Sequence, residues 1–295
     1  CEIFGPMRLH VWGLDVTPQP EVSGVARRPG RRGFTRRNAA STGGIETGDM
    51  AKRVVILGGG FGGVSAAMHL ERCLRDEPDV EITLVARDNF FLFTPMLHEV
   101  ASSDLDITHI VSPIRALLTH TRVFVGDVES IDLTARRVAV AHGQQRHGHD
   151  LEYDQLIIAL GSITNFYGLP GLEARALTMK SLGDAIHMRN RIIATLEEAD
   201  TECDARDGLL TFVVAGGGFA GVETIAGLND FVREGLRFYP RVRPESVRMV
   251  LVHSGPVILP ELGGSLGSYA QRKLVERGIE VLTQARVAGV TDAGV

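Results

Sequence analysis

Ile56-Leu57-Gly58-Gly59-Gly60-Phe61-Gly62-Gly63-Val64 and Val214-Ala215-Gly216-Gly217-Gly218-Phe219-Ala220-Gly221-Val222 are two versions of one phrase, 158 positions apart. Each holds Gly-x-Gly-x-x-Gly: Gly58, Gly60 and Gly63 in the first, Gly216, Gly218 and Gly221 in the second. The first glycine permits a tight turn out of a strand. The second lets backbone approach a pyrophosphate, and the third lets the next helix pack closely on the strand. That helix turns free N–H groups and a partial positive charge toward the anion. Glycine turns of this spacing also occur without a ligand, so context decides. Here each copy follows an apolar strand (53–57; 210–214), opens a helix (62–75; 220–233) and leads into another strand (80–85; 247–252). Two copies in that setting point to two dinucleotide sites, most economically one for a flavin and one for a nicotinamide.

The alternation continues outside the two phrases. Apolar strand patterns fall at 123–125, 128–133, 138–141, 156–160 and 279–282, and another starts at 285–290. Helical spacing falls at 104–118, bent or interrupted by Pro113, and at 181–199 and 267–277. The tract 141–150, with His142, His147 and His149, reads as a polar turn; no cysteine or carboxylate completes a metal set, so no metal is assigned. The stretch 168–171, containing Pro170, is a natural boundary. Strand–helix–strand alternation means parallel sheets with right-handed crossovers. The fold class is α/β, with two Rossmann-like dinucleotide-binding domains at 50–170 and 171–295.

At 295 residues, 44% hydrophobic and 23% charged, the chain has the length for about two domains with buried cores. A net charge of −5 supplies no basic field, which argues against nucleic acid as a partner. Cys1, Cys73 and Cys203 are scattered without Cys-x-x-Cys, against a disulfide framework, a zinc site or a redox dithiol, and in favour of a reducing, intracellular compartment. The longest apolar run, 54–70, is interrupted by five glycines and is not a membrane span. The first 49 residues hold seven arginines and no lysine, and no periodicity. Arg31-Arg32-Gly33-Phe34 has the look of a twin-arginine signal, yet the polar 38–49 stands where an apolar segment is needed. Asp15, Glu21, Glu46 and Asp49 count against an organelle transit peptide. A disordered or non-native leader at 1–49, ahead of a start at Met50, is the expectation.

Both phrases lack one expected partner. An acidic residue normally ends the second strand and binds the ribose hydroxyls. After Val85 come Ala86 and Arg87, with Asp88 a step late; after Val252 come His253 and Ser254. Arg87 could cover the adenine or its ribose. His253-Ser254 offers no carboxylate to repel a 2′-phosphate, so NADH and NADPH both stay open.

From about Lys52 the chain resembles the type II NADH:quinone oxidoreductases, flavoproteins with two dinucleotide-binding domains. The resemblance rests on the two fingerprints, on Asp88-Asn89-Phe90-Phe91-Leu92-Phe93-Thr94-Pro95-Met96-Leu97, on Tyr153-Asp154-Gln155-Leu156-Ile157-Ile158-Ala159-Leu160-Gly161-Ser162, and on Gly221-Val222-Glu223. It implies FAD and NAD(P)H as cofactors, a nicotinamide domain inserted in the FAD domain, and a quinone as electron acceptor. Thr94 and Pro95 would lie against the flavin ring, Ala159 and Gly161 in a crossover beside it, and Val128 on the adenine through its backbone. Phe61 and Gly62 would complete the FAD fingerprint, and Phe219, Ala220 and His253 the NAD(P)H one. Glu223 has no counterpart carboxylate in the first copy, where Ser65 stands. It is read as a first-turn glutamate favoured by the helix dipole and directed toward the nicotinamide and flavin. The resemblance implies a catalytic part for it in proton or charge transfer; a helix-end charge without chemistry is the alternative.

The resemblance further implies a returning FAD-domain segment with a Gly-Asp motif, quinone-site residues and a membrane-binding amphipathic C-terminus. None falls within the sequence up to Val295, so the expectation is a C-terminally truncated chain whose activity belongs to the intact protein. That protein is expected to be cytoplasmic and peripheral on the inner face of the membrane, with a homodimer open. The missing Cys-x-x-Cys argues against a disulfide reductase, and neither Cys73 nor Cys203 suits sulfide oxidation. A soluble flavin- or ferredoxin-type reductase and a non-catalytic remnant are the alternatives.

Overall fold

Four successive residues of the first strand, Val54, Val55, Ile56 and Leu57, are buried, which is tolerable only in a strand covered on both faces. Their side chains divide by parity. Val54 and Ile56 pack with Val64, Leu84 and Ile114, whereas Val55 and Leu57 pack with Val85, Val138 and Val140 on the other face. Residues 51–201 and 208–295 are described in this computed structural model. The expected leader, Met50 and the loop holding Cys203 lie outside the described residues.

The elements of the first half are β1 (Lys52–Leu57), α1 (Phe61–Cys73), β2 (Val80–Ala86), β3 (Phe90–Leu92), α2 (Leu97–Ala101), β4 (Val111–Pro113) and α3 (Ile114–Leu117). They continue with β5 (Arg122–Val125), β6 (Asp127–Asp132), β7 (Arg137–His142), β8 (His147–Glu152) and β9 (Gln155–Ile158). The second half holds α4 (Leu172–Arg175), α5 (Leu182–Thr201), β10 (Thr211–Ala215), α6 (Phe219–Gly235), β11 (Arg248–Val252), α7 (Gly264–Glu276) and β12 (Ile279–Leu282). All belong to one unit, Asp49–Val295. Among the described residues no helix is long and apolar enough to cross a membrane.

The first sheet is parallel in the order β5-β2-β1-β9, with Ile56 opposite Leu84 and Ile157. An antiparallel sheet, β6-β7-β8, supplies Val138 and Val140 to its second face. Polar anchors set the approach of the chain to these strands. The Asp154 carboxylate accepts the Arg53 backbone N–H at 2.7 Å, and that bond, with the Arg53 charge, holds it below its ordinary pKa. Glu71 on α1 accepts the backbone N–H groups of Thr119, His120 and Thr121, at 3.3, 2.8 and 2.7 Å. Burial pushes its carboxyl up, but these amides outweigh it and hold the group below its ordinary value.

The second sheet is parallel in the order β10-β11-β12. Its core joins Met249 and Leu251 to Ile225 of α6 and Leu196 of α5, and takes in Leu97, Val100 and Ala101 of α2. The short helix α2, which follows β3, thus packs on the helices of the second sheet. Gly227 of α6 gives it room: a Cβ there would lie 3.1 Å from Ser102 Oγ.

Three local readings change. The expected helix over 104–118 is reduced to a single turn and the short α3, with β4 and Pro113 between them. Asp106 accepts the Thr108 N–H and O–H at 2.8 and 2.6 Å, making a single turn at Ile107–His109. Pro113 then ends β4 in an extended conformation, and a proline also biases the residue before it away from helix. The tract 141–150 is more strand than turn, since His142 pairs with His147 and the turn is confined to 143–146. Residues 285–290 form no strand; the Ala285 N–H bonds to the His253 carbonyl (3.0 Å) and the Val290 N–H to that of Pro170 (2.8 Å). That segment ties the end of β11 to the 168–171 boundary.

Candidate functional site

The two glycine turns have the same geometry. Gly58 and Gly216 leave their strands at φ +112° and +116°, a region where only glycine is at ease. Gly60 and Gly218 then precede the helices in an extended conformation, at φ −86° and −79°. A Cβ on Gly63 would sit 1.8 Å from the Gly58 carbonyl oxygen, and one on Gly221 1.8 Å from that of Gly216. The obstacle to a side chain at the third glycine is therefore the turn itself, more than the strand. At Gly60 and Gly218 a Cβ would meet nothing within 4 Å, which leaves the backbone open to an approaching group. Neither α1 nor α6 has a side-chain cap or an acid in its first turn, so the first N–H groups remain available to an anion. Both cradles fit a dinucleotide pyrophosphate.

The first cradle lies at the C-terminal ends of β1, β2 and β9, where the order β2-β1-β9 has strands leaving in opposite directions. Ligands of open α/β sheets bind at such switch points. The Ala159 N–H bonds to the Leu57 carbonyl at 2.8 Å, and a Cβ on Gly58 would lie 2.1 Å from the Ala159 oxygen. Gly62 faces Ala159 as well, and Gly161 follows at φ +75°. Phe61 packs edge-on against Phe91 and Phe93, with ring centroids 4.9 and 5.4 Å apart. That contact sets the exposed turn Thr94–Met96, with Thr94 and Pro95, beside the fingerprint. On the β2 side, the Gly126 N–H bonds to the Ala86 carbonyl at 2.9 Å, bringing Val128 close to the strand end. Arg87 Nε donates to Asp127 Oδ1 at 3.0 Å, although its side chain stays 85% exposed.

At the second cradle Phe219 and Ala220 open α6 and are exposed. His253 follows β11, but its ring turns inward: Nδ1 accepts the Gly217 N–H at 3.1 Å. Glu223 is the fifth residue of α6, beyond the first turn in which it was expected. Its carboxylate, 46% exposed, lies 3.7 Å from Nδ1 of the mostly buried His98 on α2. Glu223 therefore faces the segment that carries Thr94 and Pro95.

A family model for pyridine nucleotide-disulphide oxidoreductases matches residues 52–295. The chain belongs to this family. It is similar to the type II NADH:quinone oxidoreductase Ndh of Mycobacterium tuberculosis, 34% identical over 249 residues that cover 82% of this chain and 52% of that protein. The external alternative NAD(P)H-ubiquinone oxidoreductase B4 of Arabidopsis thaliana mitochondria is 33% identical, over 81% of this chain and 42% of that one. Among solved structures, NDH2 of Plasmodium falciparum in complex with NADH aligns with a TM-score of 0.76 at 23% identity, covering 82% of this chain and 49% of that one. The chain spans about half the length of the curated relatives it matches.

Against this pyridine nucleotide-disulphide oxidoreductase frame, two residues at the cradles escaped the sequence reading. His98 stands one position beyond the quoted segment ending at Leu97, and nothing in its spacing links it to Glu223 across 125 residues. Asp127 gave a weak signal only, as the neighbour of Val128; its pairing with Arg87 depends on how β2 and β6 meet.

Proposed function

We propose that the protein is an FAD-dependent NAD(P)H:quinone oxidoreductase. The first cradle, with 50–170 as the FAD-binding domain, takes FAD; the second, with 171–295 as the nicotinamide domain, takes NAD(P)H. The observation that carries the reading is the meeting of two congruent cradles across α2. The helix of the second presents Glu223 to His98, four residues after Thr94 of the first.

When bound, FAD supplies an acceptor for a hydride from NAD(P)H and a donor of two electrons to the quinone. The chain's own residues provide placement. The free N–H groups of α1 and α6 hold the pyrophosphates. Thr94 and Pro95 would lie against the flavin ring, with Ala159 and Gly161 beside the fingerprint. Val128 offers backbone to the adenine, with Arg87, anchored on Asp127, at the rim. Glu223 would hold negative charge, or a proton at its carboxylate, between the two cradles, with the His98 imidazole 3.7 Å away as its electrostatic neighbour. Peripheral attachment at the inner face of the membrane, and a homodimer, belong to the same reading.

The test is anaerobic titration of the intact protein, purified. Stoichiometric FAD, bleached by NADH or NADPH and restored by a water-soluble quinone, is expected. Flavin that is bleached but not restored by quinone would instead favour a flavin- or ferredoxin-type reductase.

A further inference from the structure

The second cradle has a support that the first lacks. The Gly58 N–H bonds to the Val85 carbonyl and the Gly216 N–H to that of Val252, both at 2.8 Å. Ala86 and His253, the next residues, therefore occupy equivalent places beneath their loops. A Cβ on Gly59 would lie 2.7 Å from the Ala86 Cβ, and one on Gly217 3.0 Å from the His253 Cβ. A methyl group can do no more than fill that place. The imidazole goes further, and accepts the Gly217 N–H through Nδ1 at 3.1 Å.

Two glycines make the seat for the ring. A Cβ on Gly217 would come within 2.8 Å of Cγ, and one on Gly255 within 2.8 Å of Nε2. The backbone of His253 is tied too, its N–H to the Leu282 carbonyl (2.8 Å) and its carbonyl to the Ala285 N–H (3.0 Å). Accepting at Nδ1 requires the neutral ring with its proton on Nε2, and Nε2 is buried without a hydrogen-bond partner. An unpaired buried donor is unfavourable, so the bond made by the other nitrogen is what keeps the ring turned inward.

We propose that His253 is a positioning residue for the second dinucleotide. It fixes Gly217, between the first two fingerprint glycines, and with it the backbone that faces the pyrophosphate, and it does not read the ribose. The inference rests on the second cradle taking NAD(P)H. It replaces the direct contact expected of a residue at this strand end.

Three substitutions separate a bond from mere filling. Asparagine places an acceptor, Oδ1, on the same branch as Nδ1; glutamine carries its acceptor one bond further out, and alanine has none. In H253A and H253Q the Gly217 amide should exchange with solvent faster, and NADH affinity by calorimetry should fall roughly three- to tenfold, the value of one hydrogen bond. H253N should restore slow exchange and most of the affinity, and FAD content should hold in all three. Equal weakening in all three variants would make the ring simple packing, and unchanged exchange in H253A would remove the bond; either overturns the proposal. Should the unsubstituted protein bind FAD but no NADH, the assignment of the second cradle fails first and this inference falls with it.

Discussion

Glu223 carries the clearest chemical difference between the two cradles, because its counterpart in the first is Ser65. Aligning the glycines was enough to single it out. The partner was hidden: His98 comes from a helix 125 positions earlier, and only the packing of α2 on α6 brings its Nδ1 to 3.7 Å from the carboxylate. The glutamate also lies past the first turn, where dipole effects have already faded, so its placement calls for a partner rather than a helix end. E223Q keeps the shape and removes the charge. It should leave FAD content and NADH affinity intact and slow flavin bleaching by about a hundredfold, the lower end for a positioned acid–base group. Stopped-flow absorbance checks this, and an unchanged rate would reduce Glu223 to a surface charge. His253 shows the opposite case. Its position was legible, but the inward turn of its ring depends on Gly217 and Gly255 making room, which no strand pattern displays.

Among the elements, apolar strands were legible even at four residues, as at β5, β9 and β12, whereas the short helices α2 and α4 were not. The strands 53–57 and 80–85 and the helix that joins them lie within a residue or two of β1, β2 and α1, because buried parallel strands read as continuous apolar runs. In the segment 104–118 the interruption at Pro113 was legible, but helical spacing of apolar residues says nothing of the local turn made by Asp106 or of the strand β4 that follows it. The missed element that matters most is α2, five residues long, too short for periodicity to register. It is nevertheless the join between the turn holding Thr94 and Pro95 and the core of the second sheet. Its seat depends on Gly227, where a Cβ already approaches Ser102 Oγ to 3.1 Å. G227A should be nearly neutral, because a shift of a few tenths of an ångström relieves the contact. G227V should lower stability by about 1–3 kcal/mol through overpacking and slow flavin bleaching as α2 is displaced. Thermal unfolding and the same kinetics test it; a G227V protein with unaltered stability and rate would contradict the role given to this helix crossing.

At the scale of the whole molecule, duplication gives the site its logic: two strand–turn–helix units of one geometry, made unequal by what surrounds them. Phe61, Phe91, Ala159 and Asp127 gather at the first, and His253 and Glu223 at the second. The repeat was legible because glycine is required wherever a turn needs positive φ or a helix must lie on a carbonyl. How the two halves meet was not, since that rests on side-chain packing between distant segments. The division of labour between the cradles is tested most directly by measuring bound FAD and NADH affinity side by side in G63A and G221A. Each adds one methyl where a Cβ would lie 1.8 Å from the carbonyl oxygen of its own turn. G63A should lose FAD, whereas G221A should keep FAD and lose affinity for NADH. Loss of FAD in G221A with retention in G63A, or the same losses in both, would contradict the assignment.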